Sequence, residues 1–286
     1  MHTSTTDSAA FKSAGREQWE QAAAGWDAYS PQIRGWLEPA TRAMLAMAGV
    51  VAGARVLDVA AGAGDQTLDI ARCVGPAGYV LATDYSPAIL ALAREKFSQA
   101  GLRQVQTQVA DGEALGLAAS GFDAAVCRLG LMFFPDPTQG LREMHRALRP
   151  GGTACTLVLS QPQSNPCIGI LMSTALRHAG LPPADPYRPG GLLSLGKPGL
   201  IGELFVAAGF RDVATTAVDA PFRLPSARHY LDFIRTSASP IQQILGRLPA
   251  DARQRAWAEM EERLTVFQTP DGWAGPNELL LTAGRR

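Results

Sequence analysis

The 286-residue chain has no excess of charge, since 26 Lys and Arg balance 26 Asp and Glu. The basic residues are dispersed, and only Arg285-Arg286 forms a terminal pair. Such a distribution favours neither nucleic acid nor an anionic membrane surface. Cysteine is scarce. Cys73, Cys127, Cys155 and Cys167 form no Cys-x-x-Cys and share no ligand spacing with the four histidines. That excludes the usual zinc frameworks and disulfide scaffolds, so free buried thiols in a reducing cytoplasm and no metal are expected. Long apolar runs are missing, so no segment should span or insert into a bilayer. Residues Met1 to Asp7 lack a basic stretch followed by an apolar one, and a cytoplasmic protein without a signal peptide is expected. Internal repeats and low-complexity tracts are absent as well.

Apolar residues are plentiful, at 47%, enough for one large core or a core with a cap. The first 14 residues are small and polar and are expected to fray. A helical pattern rich in Trp19, Trp26, Tyr29 and Trp36 follows to Ala48, with Pro31 and Pro39 expected to divide it. Strand and helix signals then alternate. Strands are expected over 55–59, 79–83, 104–110, 122–128 and 153–160, with helices over 65–73, after Ser86-Pro87, and through Leu141, Met144 and Leu148. The rhythm breaks at Gln161, where prolines bracket a helical patch over 168–179. It resumes with a helix over 198–208 and a strand over 213–219, then a helical stretch over 226–267 and a last strand over 278–283.

Seven strands with helical crossovers imply an α/β fold, a doubly wound and mostly parallel seven-stranded sheet with helical lid insertions. The expected division is an N-terminal lid segment (1–48), a core (49–160) continued at 198–220 and 271–286, and helical insertions at 161–197 and 221–270. Ligands of such sheets sit beyond the carboxyl ends of the strands, where strand order reverses.

The richest segment lies there. Val56-Leu-Asp-Val-Ala-Ala-Gly-Ala-Gly64 runs from an apolar strand into a glycine turn, and Asp84 ends the next strand. Gly62 and Gly64 let backbone amides approach a ligand closely. A carboxylate about 20 residues downstream suits the two hydroxyls of a ribose. An adenosine-containing cofactor is the reading.

Four further segments follow in order: Ala82-Thr-Asp84-Tyr-Ser-Pro-Ala-Ile-Leu90, Val109-Ala-Asp-Gly-Glu-Ala-Leu115, Phe122-Asp-Ala-Ala-Val-Cys-Arg-Leu-Gly-Leu-Met-Phe-Phe-Pro-Asp136 and Glu143-Met-His-Arg-Ala-Leu-Arg-Pro-Gly-Gly152. Together the five resemble class I S-adenosylmethionine-dependent methyltransferases with a Rossmann-like core. The likeness is to the ubiquinone/menaquinone C-methyltransferase-like (type 11) small-molecule group, over residues 50–160. One departure is Ala60, where many members carry glycine.

The resemblance implies S-adenosylmethionine as cofactor and S-adenosylhomocysteine as product. It places Asp58 and the Ala60–Gly64 turn at the methionine end, Asp84 on the ribose hydroxyls, and Tyr85 and Ser86 along the adenosine. Asp111 would accept from the adenine amino group, with Gly112 and Glu113 beside the ring. Arg128 would line the junction of cofactor and acceptor, and Trp26 and Tyr29 would form a flap over the sulfonium.

Plainer readings stand beside these. The glycine turn and Asp111 serve as ordinary turn residues, Asp84 as a cap, Arg128 as half of an ion pair, and the aromatics as packing anchors. His178 and His229, on the inserted helices, are the general-base candidates, against a plain helix-face reading for each, as for His145. A small-molecule acceptor is expected, methylated on O, N or C and resembling a natural product or quinone, and a homodimer is left open. The alternatives are a nicotinamide-dependent oxidoreductase, disfavoured because Thr67 stands where its third glycine belongs, a nucleic-acid or protein methyltransferase, and a non-catalytic cofactor-binding module.

Overall fold

The computed structural model describes residues 5–236 and 240–286. In chain order the elements are α1 (Thr5–Ala28), α2 (Ser30–Met47), β1 (Arg55–Val59), α3 (Asp65–Val74), β2 (Tyr79–Asp84), α4 (Pro87–Gln99), β3 (Val105–Val109) and β4 (Phe122–Arg128). Next come α5 (Pro137–Ala147), β5 (Leu148–Leu159), α6 (Pro166–His178), α7 (Leu200–Ala207), β6 (Arg211–Asp219) and β7 (Phe222–Leu224). The chain ends with α8 (Ala227–Thr236), α9 (Pro240–Leu245), α10 (Ala250–Leu264), β8 (Gln268–Thr269), β9 (Gly272–Gly275) and β10 (Glu278–Arg285).

Seven strands form one sheet in the order β3-β2-β1-β4-β5-β10-β6. Pairing is parallel from β3 to β5, and β10 runs antiparallel between β5 and β6. The central strands are apolar on both faces, as a sheet covered by helices on both sides requires. Val56, Leu57 and Val126 are wholly buried. Strand order reverses between β1 and β4, which opens a crevice at their carboxyl ends.

Local chemistry fixes the elements that border this crevice. Ser86 caps α4 by accepting from the Ile89 amide at 3.4 Å, with Pro87 in the first turn. Asp136 caps α5 by accepting from the Gln139 amide at 3.0 Å, followed by Pro137.

Five sequence expectations change. The frayed start is instead helix from Thr5, because Phe11, Gly15 and Trp19 line a cavity along its inner face. Residues 1–4, part of that expectation, lie outside the described residues. Pro39 does not divide α2. It sits on the exposed face, and its missing N–H leaves the carbonyl of exposed Gly35 to solvent. Leu148 begins β5 rather than ending α5, because β5 pairs with Phe122 from that residue onward. A three-stranded sheet, β7-β9-β8, joins the last insertion, where only helix was expected. The helical stretch expected over 226–267 is three helices, and its residues 237–239 lie outside the described residues.

Candidate active site

The turn after β1 is built from left-handed residues. Gly62 and Gly64 have φ of 57° and 84°, and a Cβ on Gly64 would lie 2.6 Å from the Phe97 ring. Ala60, with φ of 55°, takes the same conformation despite its side chain. Across the crevice Leu129, just after β4, has φ of 58°. Gly130 lies so close to the Ala60 methyl that a side chain there would collide with it. The turns after β1 and β4 therefore touch, and two strained non-glycine residues face one cavity at the switch point.

Asp84 closes β2 beside this turn. Its two carboxylate oxygens accept from the Gly62 and Ser86 amides, each at 3.0 Å, and its side chain borders the cavity. Burial raises its pKa above the usual carboxylate value, opposed by those amides. The carboxylate, on which the Tyr85 amide also acts, retains acceptor capacity for a ligand hydroxyl. Tyr85 and Ala110 continue the wall to Asp111, Gly112 and Glu113 after β3. Gly112 rests against the Phe134 ring, where a side chain would not fit. Asp111 accepts from the Glu113 amide at 2.9 Å, and Glu113 accepts from the Asp136 amide at 2.7 Å. Lys12 of α1 contacts both carboxylates at 2.6 Å.

Asp58 departs from its expected place. It is fully buried below the turn, where Thr67 donates to one oxygen at 2.6 Å and Gln66 to the other. It does not line the cavity, and it fastens the first turn of α3 to β1 instead. Gln66, not anticipated, lines the cavity, and its Oε1 is buried without a partner. Arg128 lines the opposite side. Its guanidinium donates to Thr41 Oγ1 at 2.8 Å, and burial lowers its pKa against the pull of Asp58.

The two flap candidates lie in different places. Trp26 lines the cavity with its indole over the Gly62 turn, whereas Tyr29 packs on Phe233 at 5.3 Å and stays outside. Neither histidine candidate reaches the cavity. His178 pairs with Glu259 at 3.0 Å, and exposed His229 bonds Ser226 at 2.9 Å. Helical periodicity explains this: α8 buries Ala227, Tyr230, Leu231 and Phe233, so His229 falls on the outer face. Three of the thiols are buried, but Cys73 is exposed.

Beyond Arg128 the cavity becomes apolar and aromatic, lined by Trp36, Leu37, Leu159, Leu171, Tyr230 and Phe233. A second cavity of about 740 Å³ adjoins it and shares Ile168, Leu192 and Pro240 with the first. Among the described residues no group of three or more His, Cys, Asp or Glu is arranged to hold a metal, and no helix is long and apolar enough to cross a membrane.

The ubiE/COQ5 methyltransferase family matches residues 34–171. A demethylmenaquinone methyltransferase of Deinococcus radiodurans is 35% identical over 194 residues, which cover 62% of this chain and 75% of the relative. A ubiquinone/menaquinone biosynthesis C-methyltransferase of Hahella chejuensis is 40% identical over 121 residues, covering 42% of this chain and 48% of the relative. Among solved structures, the YcgJ protein of Bacillus subtilis superimposes with a TM-score of 0.59 at 18% identity, over 87% of this chain and 98% of that one, and so shares the fold. The crevice at the strand-order reversal, the glycine turn and the ordered carboxylates thus belong to a recognised lineage: the chain is a member of the ubiE/COQ5 methyltransferase family, an S-adenosylmethionine-dependent enzyme.

Proposed function

We propose that this enzyme methylates a small, largely apolar molecule of the quinol or phenol type. The observation that carries the reading is one continuous cavity. It runs from the carboxylates after β3 and β2, past the Ala60–Gly64 turn, into an aromatic chamber. Asp84 would accept from the ribose hydroxyls and Asp111 would face the adenine, with Gly112 and Glu113 beside it. The amino-acid end would then reach the β1–β4 crevice. There Gln66 Oε1, buried without a partner, offers an acceptor for an ammonium, and Arg128 offers donors for an anionic oxygen. Segments 1–48, 161–197 and 221–270 act in this reading as a lid on the core.

When bound, S-adenosylmethionine supplies a methyl group already electrophilic at its sulfonium. The chain's contribution is to align the acceptor and exclude water, which in favourable cases supplies on the order of 7–11 kcal/mol. Trp26, Trp36 and Phe233 enclose the chamber for that purpose. No histidine lines the cavity among the described residues, so an acceptor that ionises readily, such as a phenol or enol, fits best. The relatives' names support this class, since the Deinococcus radiodurans protein is a demethylmenaquinone methyltransferase. The adjoining cavity would house a part of the acceptor that does not react.

The test is incubation with methyl-labelled cofactor and a panel of quinols, phenols, amines and neutral apolar controls, read by mass spectrometry. Addition of one methyl to quinols or phenols is expected. Labelling confined to amines would contradict the acceptor class, and saturable NAD binding without response to S-adenosylmethionine would overturn the reading altogether.

A further inference from the structure

Helix α1 roofs the cavity, and its two ends are fastened differently. The hinge end is clamped to the core. Lys96 of α4 reaches Asp27 at 2.7 Å, Ser30 at 2.8 Å and Asp65 at 3.0 Å, and Ser30 also bonds Asp65. At the far end, from Ala10 onward, the ionic tie to the core is that of Lys12 on Asp111 and Glu113. Arg16 pairs only within its own helix, with Glu20. Between the two ends, Gly15 approaches the Tyr85 hydroxyl, and Trp19 packs edge-on against Trp26 and Phe133, with ring centroids 5.5 and 5.7 Å apart.

The cavity below, about 250 Å³, is continued by the adjoining one of about 740 Å³, and α1 covers the end at Asp84, Asp111 and Glu113 with Phe11, Lys12, Gly15 and Trp19. A nucleoside that leaves past these carboxylates passes under this helix. The end that can lift is the one held by Phe11 on Gly190 and by two partly exposed ion pairs that share one ammonium, and such pairs are weak singly and sensitive to salt.

We propose that Lys12 is a positioning residue that latches α1 over the adenosine end of the cofactor, and that its release from Asp111 and Glu113 sets how fast the product leaves. Lys12 reaches the two carboxylates from the roof, and Trp19 rides on the same free end, whereas Trp26 stands beside the clamped Asp27. Closing the latch therefore covers the nucleoside and seats Trp19 against Phe133 in one movement. The proposal rests on the cofactor orientation given above.

The experiment follows dissociation of S-adenosylhomocysteine by stopped-flow tryptophan fluorescence at about 0.05 M and about 0.5 M salt. It compares the parent with Lys12→Met, Lys12→Arg and Arg16→Met. Lys12→Met should raise the off-rate about tenfold at low salt, the size expected for two partly exposed ion pairs. High salt should bring the parent toward that rate while leaving Lys12→Met nearly unchanged. Lys12→Arg should restore the slow rate, and Arg16→Met, which removes an equal charge from the same helix, should match the parent. A parent off-rate indifferent to salt, or equal rates in the parent and Lys12→Met, overturns the latch. The salt series on the parent alone decides the matter if the Met variant does not fold. A parent that binds no S-adenosylhomocysteine at all refutes the cofactor orientation instead.

Discussion

Asp58 and Asp84 end or nearly end neighbouring strands, and burial raises both carboxyl pKa values, yet they do different work. Asp84 opens onto the cavity, whereas Asp58 has given both oxygens to Thr67 and Gln66. Burial pushes Asp58 up to about 7, against hydrogen bonds that pull it down. A carboxyl raised in this way binds more protons when folded than when unfolded. Its contribution to stability therefore falls as pH rises from about 4 to about 7 and is level above, a span of roughly 4 kcal/mol at most. Asp58→Asn should remove much of that slope. Thr67 can still donate to the amide oxygen, and Gln66 can turn its unpartnered Oε1 to the new N–H. Urea midpoints at about pH 5 and about pH 8 measure it, and a variant with the parent's full slope would contradict the assignment. Residues of this kind were half legible. The motif marked Asp58 as important but not that its oxygens point inward. Lys12 went unnoticed because its partners, Asp111 and Glu113, are about a hundred positions away and no local pattern joins them.

At the scale of elements, local rules carried far where they act within a few residues. The strands β1 to β4 and the cap at Ser86 follow from alternation, apolar runs and a Ser before proline. They failed where packing against distant chain overrides them. The start of α1 runs on as helix into Phe11, packed on Gly190, and Lys12, paired with Asp111 and Glu113, and β7, β8 and β9 are short strands that exist only through each other. Pro39 is the sharpest case, a helix breaker kept inside α2. Its position on the exposed face means that Pro39→Ala would restore a backbone bond without disturbing the core. We expect a gain of about 1–3 kcal/mol, read as a higher urea midpoint with an unchanged slope. A lower midpoint would show that α2 needs the proline, for instance to hold Trp36 on the Ala220 carbonyl at 2.6 Å.

Across the whole molecule, the sheet order fixes where a ligand can sit, and the helices outside the sheet decide what can sit there. The reversal between β1 and β4 brings Ala60, Gly62, Arg128 and Gly130 to one crevice from opposite halves of the core. That much followed from the order of strands and helices in the sequence. The aromatic chamber did not, because Trp36, Tyr230 and Phe233 come from α2 and α8, whose docking depends on contacts across the full chain. The histidines of the insertions looked available as bases in sequence and lie away from the cavity in space, His178 on Glu259 of α10 and His229 on Ser226.

The central claim is that Asp84 holds the ribose of S-adenosylmethionine at this crevice. Calorimetric titration of the parent and Asp84→Ala with S-adenosylhomocysteine tests it most directly. The account predicts saturable one-to-one binding by the parent and an affinity lower by about a hundredfold in the variant, the worth of one or two hydrogen bonds to a charged carboxylate. Equal affinities in the two proteins, both folded, would contradict it.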